Sequence, residues 1–579
     1  MTAETRQCQN CKQNFAIAPD DFSFYEKIRV PPPTFCPGCR MQRRLAYRNT
    51  HAFYKRKDSF SGKEMISMYS PDKNLTVIDR KAWWGDSWDP INYGINYDFT
   101  KSFFSQWKEF RDKFPLQNLQ QTKSVNSEYC NVAEESKDCY LISASWKNER
   151  VLYSDSITEI KDSADLHVVR RSQFSYEDTV CADSYQLFYS EDSHNCVNSY
   201  FLFDCRNCTD CFMCSGLRSK SHCFYNQQLN KEEYQKKMSK MDVGSHTLIE
   251  NLKKDFEGMK LKSIRKFAHI VNSYDVTGDN IVNAKNCHMC FDLMSELQDC
   301  KYSFWGVQGK DIFDCGPGFG VVELMYETFD AGPGGKSILL SHSIHTSENV
   351  EYSFYCHDCS NIFACFGLRN KSYCIFNKQY SKDEYNELRE KIINHMNEMP
   401  YKDGKENVYK YGEFFPADLS PFCYNETVAQ DHFPIKKEDA LKTGLSWKDM
   451  ETRNYVPTLF SKDIPDNIKD VPDTILSEVI ECAHKGACSD RCTTAFRVIP
   501  NELTFYRKFN IPIPRLCYGC RHYARLHKRN PMKLWHRQCM CDKSGHDHSD
   551  KCPNEFETSY SPKRPEAVYC EQCYQKEVY

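Results

Sequence analysis

The sequence predicts a mainly β protein with helical insertions: a duplicated Cys/aromatic β-solenoid, parallel β-helix-like, flanked by N- and C-terminal pairs of zinc ribbons. Three observations predict it. C-x2-C pairs followed by basic runs occur near both ends, and short strings of Cys, Tyr, Phe, Asn, Asp and Ser fill the middle. Both the flanks and the middle are also written twice. A shift of 481 lays Phe505 on Phe24, Tyr506 on Tyr25, Cys517 and Cys520 on Cys36 and Cys39, and Arg521, Arg525 and Arg529 on Arg40, Arg44 and Arg48.

The bulk properties bound the reading. A chain of 579 residues has room for several cores. Its formal charge of −3 argues against a generic polyanion binder, so any nucleic-acid surface must be local. Aromatic residues make up 14%, which excludes a disordered chain. There is no signal-type apolar region and no window of about 18 apolar residues, so neither secretion nor a membrane span is expected. The 32 cysteines in so long a chain read as metal-bound and buried free thiols of a reducing cytoplasm.

Residues 1–57 read as a zinc ribbon plus a basic helix. Cys8, Cys11, Cys36 and Cys39 can close a tetrahedron around zinc at about 2.3 Å, and four thiolates leave no position for substrate, so the zinc is structural. The following run, RMQRRLAYRNTHAFYKRK, lacks Gly and Pro and reads as a helix. Its Arg40, Arg43, Arg44 and Arg48 suit either nucleic-acid phosphates or nearby acids. Residues 58–125 read as a degenerate, metal-free ribbon and linker. A shift of 491 lays Tyr69-Ser70-Pro71 on Tyr560-Ser561-Pro562, but Ser61, Asp79 and Ala82 stand opposite Cys552, Cys570 and Cys573. Trp83, Trp84 and Trp88 are expected to replace the metal as a local core.

Residues 126–265 and 266–400 read as two solenoid blocks with capping helices. Cys196, Cys205, Cys214 and Cys223 are spaced by nine, and a shift of 151 lays CSGLRSKSHCFYNQQLNKEEY on CFGLRNKSYCIFNKQYSKDEY. Buried cysteines are expected to stack as ladders. The rival, a zinc site at Cys205, Cys208, Cys211 and Cys214, is disfavoured because Cys211 becomes Ile362 in the second copy. Asn230 with Glu233, and Ser381 with Glu384, have capping-box spacing and open charged helices. GPGFG and AGPGG are expected as loops between the blocks.

Residues 401–480 read as an extended linker whose aromatics need burial. Residues 481–535 read as a zinc ribbon plus basic helix with Cys488, Cys492, Cys517 and Cys520 as ligands and Arg521, Arg525 and Arg529 as contact residues. Residues 536–579 read as a C-terminal zinc ribbon on Cys552, Cys570 and Cys573, with Cys541 preferred as fourth ligand over Cys539, His546 or His548. About three structural zinc ions are therefore expected.

The run of C-x2-C, DDFSFYEKIRVP, CPGCRMQRR, YRN, ISMYSP, WDP and YDF, continued by GLRSK, YNETVAQ, PDNIKDV and VYCEQCYQKEVY, resembles a family of large bacterial multi-zinc-ribbon proteins without an established biochemical role. In that family the second ribbon carries two C-x2-C pairs. Here the positions read Asp58, Ser61, Asp79 and Ala82, so the resemblance does not bring that metal with it. Some members carry a CoA-transferase label, but this chain shows no pattern for that α/β fold.

These features point to a non-catalytic zinc-binding scaffold contacting nucleic acid or a protein complex through the Arg-rich helices. The alternatives are a β-helix enzyme acting on a polymer, with Asp162, Asp165, His167, Arg170 and Arg171 as candidates, and a structural or assembly protein.

Overall fold

Pairing at a fixed interval organises the middle of the chain. In the computed structural model, which describes residues 3–449 and 455–578, Asn131 pairs in parallel with Ser143, Asp155 with His167 and Tyr200 with Phe212. The coil is therefore 12 residues long. It has four short sides, and each repeats one triplet. Val125 pairs with the next coil, Asn126 turns at φ 47°, and Ser127 points inward; Glu128, Tyr129 and Cys130 then do the same. A left-handed residue costs roughly 1–2 kcal/mol unless it is Gly, or Asn or Asp with a local bond. The wealth of Asn and Asp at these corners follows from that preference.

A coil this narrow admits only slender side chains, and the polar ones must bond inside it. Ser154 Oγ donates to Leu152 O at 2.8 Å and accepts from Leu166 N at 3.0 Å. Cys205 Sγ reaches Phe203 O at 3.5 Å and Cys214 O at 3.7 Å. The nine-residue cysteine spacing is thus three sides rather than a full coil: each thiol reaches a carbonyl one side short of the position directly above it. Cys205, Cys208, Cys211 and Cys214 occupy the four sides of one coil and turn their thiols to carbonyls, so they do not converge as a metal site.

The expected β-solenoid is therefore what the chain forms. In the second block Gly306 pairs with Phe319 and Val322 with Gly335, an interval of 13, before Lys336–Glu348 restores 12. The two GPG sequences are corners of these longer coils, not loops between the blocks. A Cβ on Gly316 or Gly332 would lie 2.0 or 2.1 Å from the carbonyl oxygen of Phe304 or Gly320. Each block closes with an antiparallel hairpin and a helix. Asn230 accepts from Glu233 N ahead of Lys231–Met238, and Ser381 and Glu384 form a capping box ahead of Lys382–Glu398.

Four ribbons flank the solenoid, with hairpins Glu4–Gln7/Asn14–Ile17, Tyr54–Lys57/Glu64–Ser67, Ile480–Glu481/Ala495–Phe496 and Trp535–Gln538/Glu555–Thr558. The basic helix of the first spans only Pro37–Leu45; the end of the run expected to be helical is instead the strand Tyr54–Lys57. The ribbon pairs cross over. Phe24 stacks on Phe313 of the second block at 3.8 Å, whereas Phe505 packs against Tyr176 of the first. The segment expected as an extended linker instead carries short helices, Val428–His432 and Lys437–Lys442 among them, and its Phe415 is buried at this interface with its ring centre 4.2 Å from that of Trp107.

Candidate metal centres

One backbone signature recurs in all four ribbons and identifies the first ligand position of each. The N–H of Cys8, Asp58, Cys482 and Cys539 donates across its hairpin to Gln13, Lys63, Thr494 and Asn554 at 2.8–2.9 Å. Each of these side chains then accepts a backbone N–H from the second knuckle. Cys36 N reaches Cys8 Sγ at 3.2 Å, Asp79 N reaches Asp58 Oδ2 at 3.4 Å, Cys517 N reaches Cys482 Sγ at 3.3 Å and Cys570 N reaches Cys539 Sγ at 3.2 Å.

Three four-cysteine groups result: Cys8, Cys11, Cys36 and Cys39; Cys482, Cys492, Cys517 and Cys520; and Cys539, Cys552, Cys570 and Cys573. Cys11 and Cys36 are 3.7 Å apart, Cys517 and Cys492 3.9 Å, and Cys552 and Cys570 3.9 Å. The edge of a tetrahedron with 2.3 Å metal–sulfur bonds is about 3.8 Å. These donor sets therefore fit a thiophilic tetrahedral ion. Contacts from Cys36 and Cys39 hold the Cys8 thiol far below its ordinary range, and those from Cys482 and Cys520 do the same for Cys517.

Two expected ligands stand outside these groups. Cys488 lies 3.6 Å from Cys520 in a separate group with His484, and Cys482 holds the position assigned to it. Cys541 joins His546, His548 and Cys573, while Cys539 completes the four-thiol set. The reason is an enlarged first knuckle. Two residues separate Cys8 from Cys11, but nine separate Cys482 from Cys492 and twelve separate Cys539 from Cys552. A C-x2-C search slides past such insertions. The usable signal was the short strand ending just before the cysteine.

The second ribbon has no thiol at its knuckles. Asp58 Oδ1 accepts from Phe60 N at 2.8 Å and Ser61 N at 3.4 Å, so a carboxylate closes the turn. Trp83 is fully buried, with Trp84 and Trp88 at 4.9 and 6.1 Å. Packing and one carboxylate stand where a metal would.

The Arg-rich helices face inward, which corrects the expectation of a solvent-facing contact surface. Arg40, Arg43, Arg44, Arg48, Arg521 and Arg525 are 0–6% exposed. Arg40 pairs with Asp314 at 2.8 Å, Arg43 with Glu327 at 2.6 Å and Glu413 at 3.0 Å, Arg44 with Glu327 at 3.5 Å, and Arg48 with Asp330 at 2.6 Å. Arg521 and Arg525 share Asp165, and Arg529 pairs with Asp292 at 2.7 Å. Asp165, Asp292, Asp314, Glu327 and Asp330 are all left-handed solenoid corners. The helices are therefore docked on rows of acidic corners.

The remaining enzyme candidates do not form an open groove. Asp162 pairs with Arg150 and Arg171 with Asp183 in exposed ladders one coil apart. His167 is buried 3.3 Å from Asp155, which also faces His51 at 3.4 Å and accepts from Ser143 Oγ at 2.5 Å. Burial opposes ionisation of Asp155, but His167 and His51 outweigh it and hold the carboxyl well below its usual range.

A cavity of about 450 Å³ lies where both blocks meet the two C-terminal ribbons. Its charges are matched internally. Glu191 pairs with Lys260 at 2.7 Å and Lys528 at 3.0 Å, and His269 bridges Asp192 at 2.6 Å and Asp279 at 3.0 Å. Burial works against the imidazolium of His269, but the two carboxylates outweigh it and hold its pKa well above the ordinary value. No helix among the described residues is long and apolar enough to cross a membrane. No protein-family model matches the chain, and no curated protein matches it either.

Proposed function

We propose that this protein is a non-catalytic, zinc-braced solenoid scaffold of the cytoplasm that docks a protein complex rather than nucleic acid. The inward turn of the ribbon arginines carries the reading: the charge that would bind phosphates is bound instead to solenoid acids. Zinc suits the three tetrahedral four-thiolate sets, which leave no open coordination position. A reducing compartment suits the many lumen thiols, whose bonds to backbone carbonyls require the reduced form. The resemblance to the multi-zinc-ribbon family is part of the same proposal.

Fluorescence anisotropy with labelled single-stranded RNA and duplex DNA, titrated from 50 to 200 mM salt, tests the choice of partner. No saturable binding is expected. A log–log salt slope of several counterions that disappears on neutralising Arg40 and Arg521 would overturn the reading.

A further inference from the structure

The fourth ribbon carries more metal donors than one tetrahedron can use. Cys539, Cys552, Cys570 and Cys573 form one buried group; Cys541, His546, His548 and Cys573 form another, and the two groups share Cys573. We propose that this ribbon holds two metal ions bridged by the Cys573 thiolate, the second bound by Cys541, His546 and His548.

Three observations carry the proposal. The donor spacings of the second group are those of a coordination shell, with Cys541 Sγ 3.1 Å from His546 Nδ1 and Cys573 Sγ 3.5 Å from His548 Nε2. Each imidazole is also oriented by its other nitrogen. His546 Nε2 lies 3.2 Å from Glu577 Oε1, and His548 Nδ1 lies 2.7 Å from the carbonyl oxygen of Asp550. A ligating histidine generally anchors its second nitrogen to a carboxylate or carbonyl in this way, which fixes the tautomer and aims the free lone pair. The third observation is the insertion itself. The ten residues by which this first knuckle exceeds that of the second ribbon include Cys541, His546 and His548.

The charge balance favours the pair. One dication on four thiolates carries two net negative charges, and Cys541 would remain beside it. Two dications on five thiolates and two neutral imidazoles carry only one. Asn554 Nδ2, 3.3 Å from Cys570 Sγ, donates toward the thiolate side. The soft sulfur and imidazole donor set selects zinc or a similar tetrahedral ion over a hard cation.

The test uses the full chain saturated with zinc, then dialysed, with metal counted per chain by inductively coupled plasma mass spectrometry. The His546→Ala/His548→Ala variant is expected to lose one metal, and Cys539→Ser/Cys552→Ser to lose one. A variant combining all four changes is expected to lose two. Retention of the wild-type count by either double variant overturns the proposal, because a single site would draw on only one of the two sets. Cobalt substitution of the wild-type chain gives a second readout independent of variant folding. A thiolate-bridged pair of cobalt ions couples magnetically and contributes no ordinary high-spin resonance, so integrated spin should fall short of bound cobalt. Full spin recovery in the wild type would also overturn it. Neither result bears on whether the scaffold docks protein or nucleic acid.

Discussion

Replacing Asp165 by Asn removes one charge from the seam between the third ribbon and the first solenoid block. The side chain keeps its shape, and Asn tolerates the left-handed corner at φ 57°. What changes is that Arg521 and Arg525, 6% and 3% exposed, lose their shared carboxylate. Breaking a buried ion pair costs about 3–5 kcal/mol. The lower end applies here, because Arg521 keeps Tyr506 Oη at 3.0 Å and Arg525 keeps Tyr153 O at 2.9 Å. About 3 kcal/mol multiplies local opening roughly 150-fold. Hydrogen exchange of the amides of Tyr518–Leu526 measures that opening directly. Asp162→Asn is the control, since its partner Arg150 is 48% exposed and such pairs contribute at most about 1 kcal/mol. Adding Arg521→Met, Arg525→Met and Glu502→Gln to Asp165→Asn should restore most of the protection, because Glu502, buried 3.4 Å from Arg521, is neutralised with it and no charge of this cluster is left without a partner. If Asp165→Asn accelerated exchange no more than Asp162→Asn, the docking argument would fail, and the arginines would again be free to serve an external ligand.

Two further outcomes follow from the same structure. The folded state raises the pKa of His269, so its contribution is complete below about pH 6.5 and is lost as pH rises through the folded pKa. The stability gap between wild type and His269→Gln in urea should therefore shrink by about 1.4 kcal/mol per pH unit above pH 6.5, and a pH-independent gap would refute it. Restoring thiols to the second ribbon with Asp58→Cys, Ser61→Cys, Asp79→Cys and Ala82→Cys should add one metal per chain by mass spectrometry. Unchanged content would show that Asp58 is not the ligand position its backbone partners indicate.

The duplications made the architecture legible, because an internal copy at a constant shift needs no outside comparison. The coil length was harder to read. Cysteines nine apart are conspicuous, yet the repeating unit is a triplet, and its trace is the appearance of Cys or Ser at multiples of three, as in Cys205, Cys208, Cys211 and Cys214. Conventional strand alternation has a period of two and does not describe a backbone that turns left-handed at every third residue. The direction of the arginines was not legible locally. Arg40 and Asp314, or Arg521 and Asp165, are hundreds of residues apart, and a helix with a basic face looks the same whether it meets phosphate or carboxylate. The acids gave no help either, because the shift of 151 lays Asp165 on Gly316 rather than on Asp314.

The four ribbons also separate two roles that a metal-bearing module usually combines. Docking survives where the thiols are gone. The guanidinium of Arg369 lies 4.7 Å from the ring centre of Trp83 in the second ribbon, and that of Arg218 lies 5.9 Å from the ring centre of Tyr574 in the fourth. Trp83 and Tyr574 correspond by the shift of 491, and Arg369 and Arg218 by the shift of 151. The same contact is thus made in a ribbon with five cysteines and in one with none. A metal in the other three therefore acts on the knuckles, holding closed turns whose loops have few apolar contacts of their own. The solenoid seam rests on arginines, aromatics and acidic corners. Chelation should accordingly loosen the enlarged knuckles of the C-terminal ribbons first and leave the second ribbon's exchange unchanged, whereas a seam mutation should release a ribbon that still holds its metal.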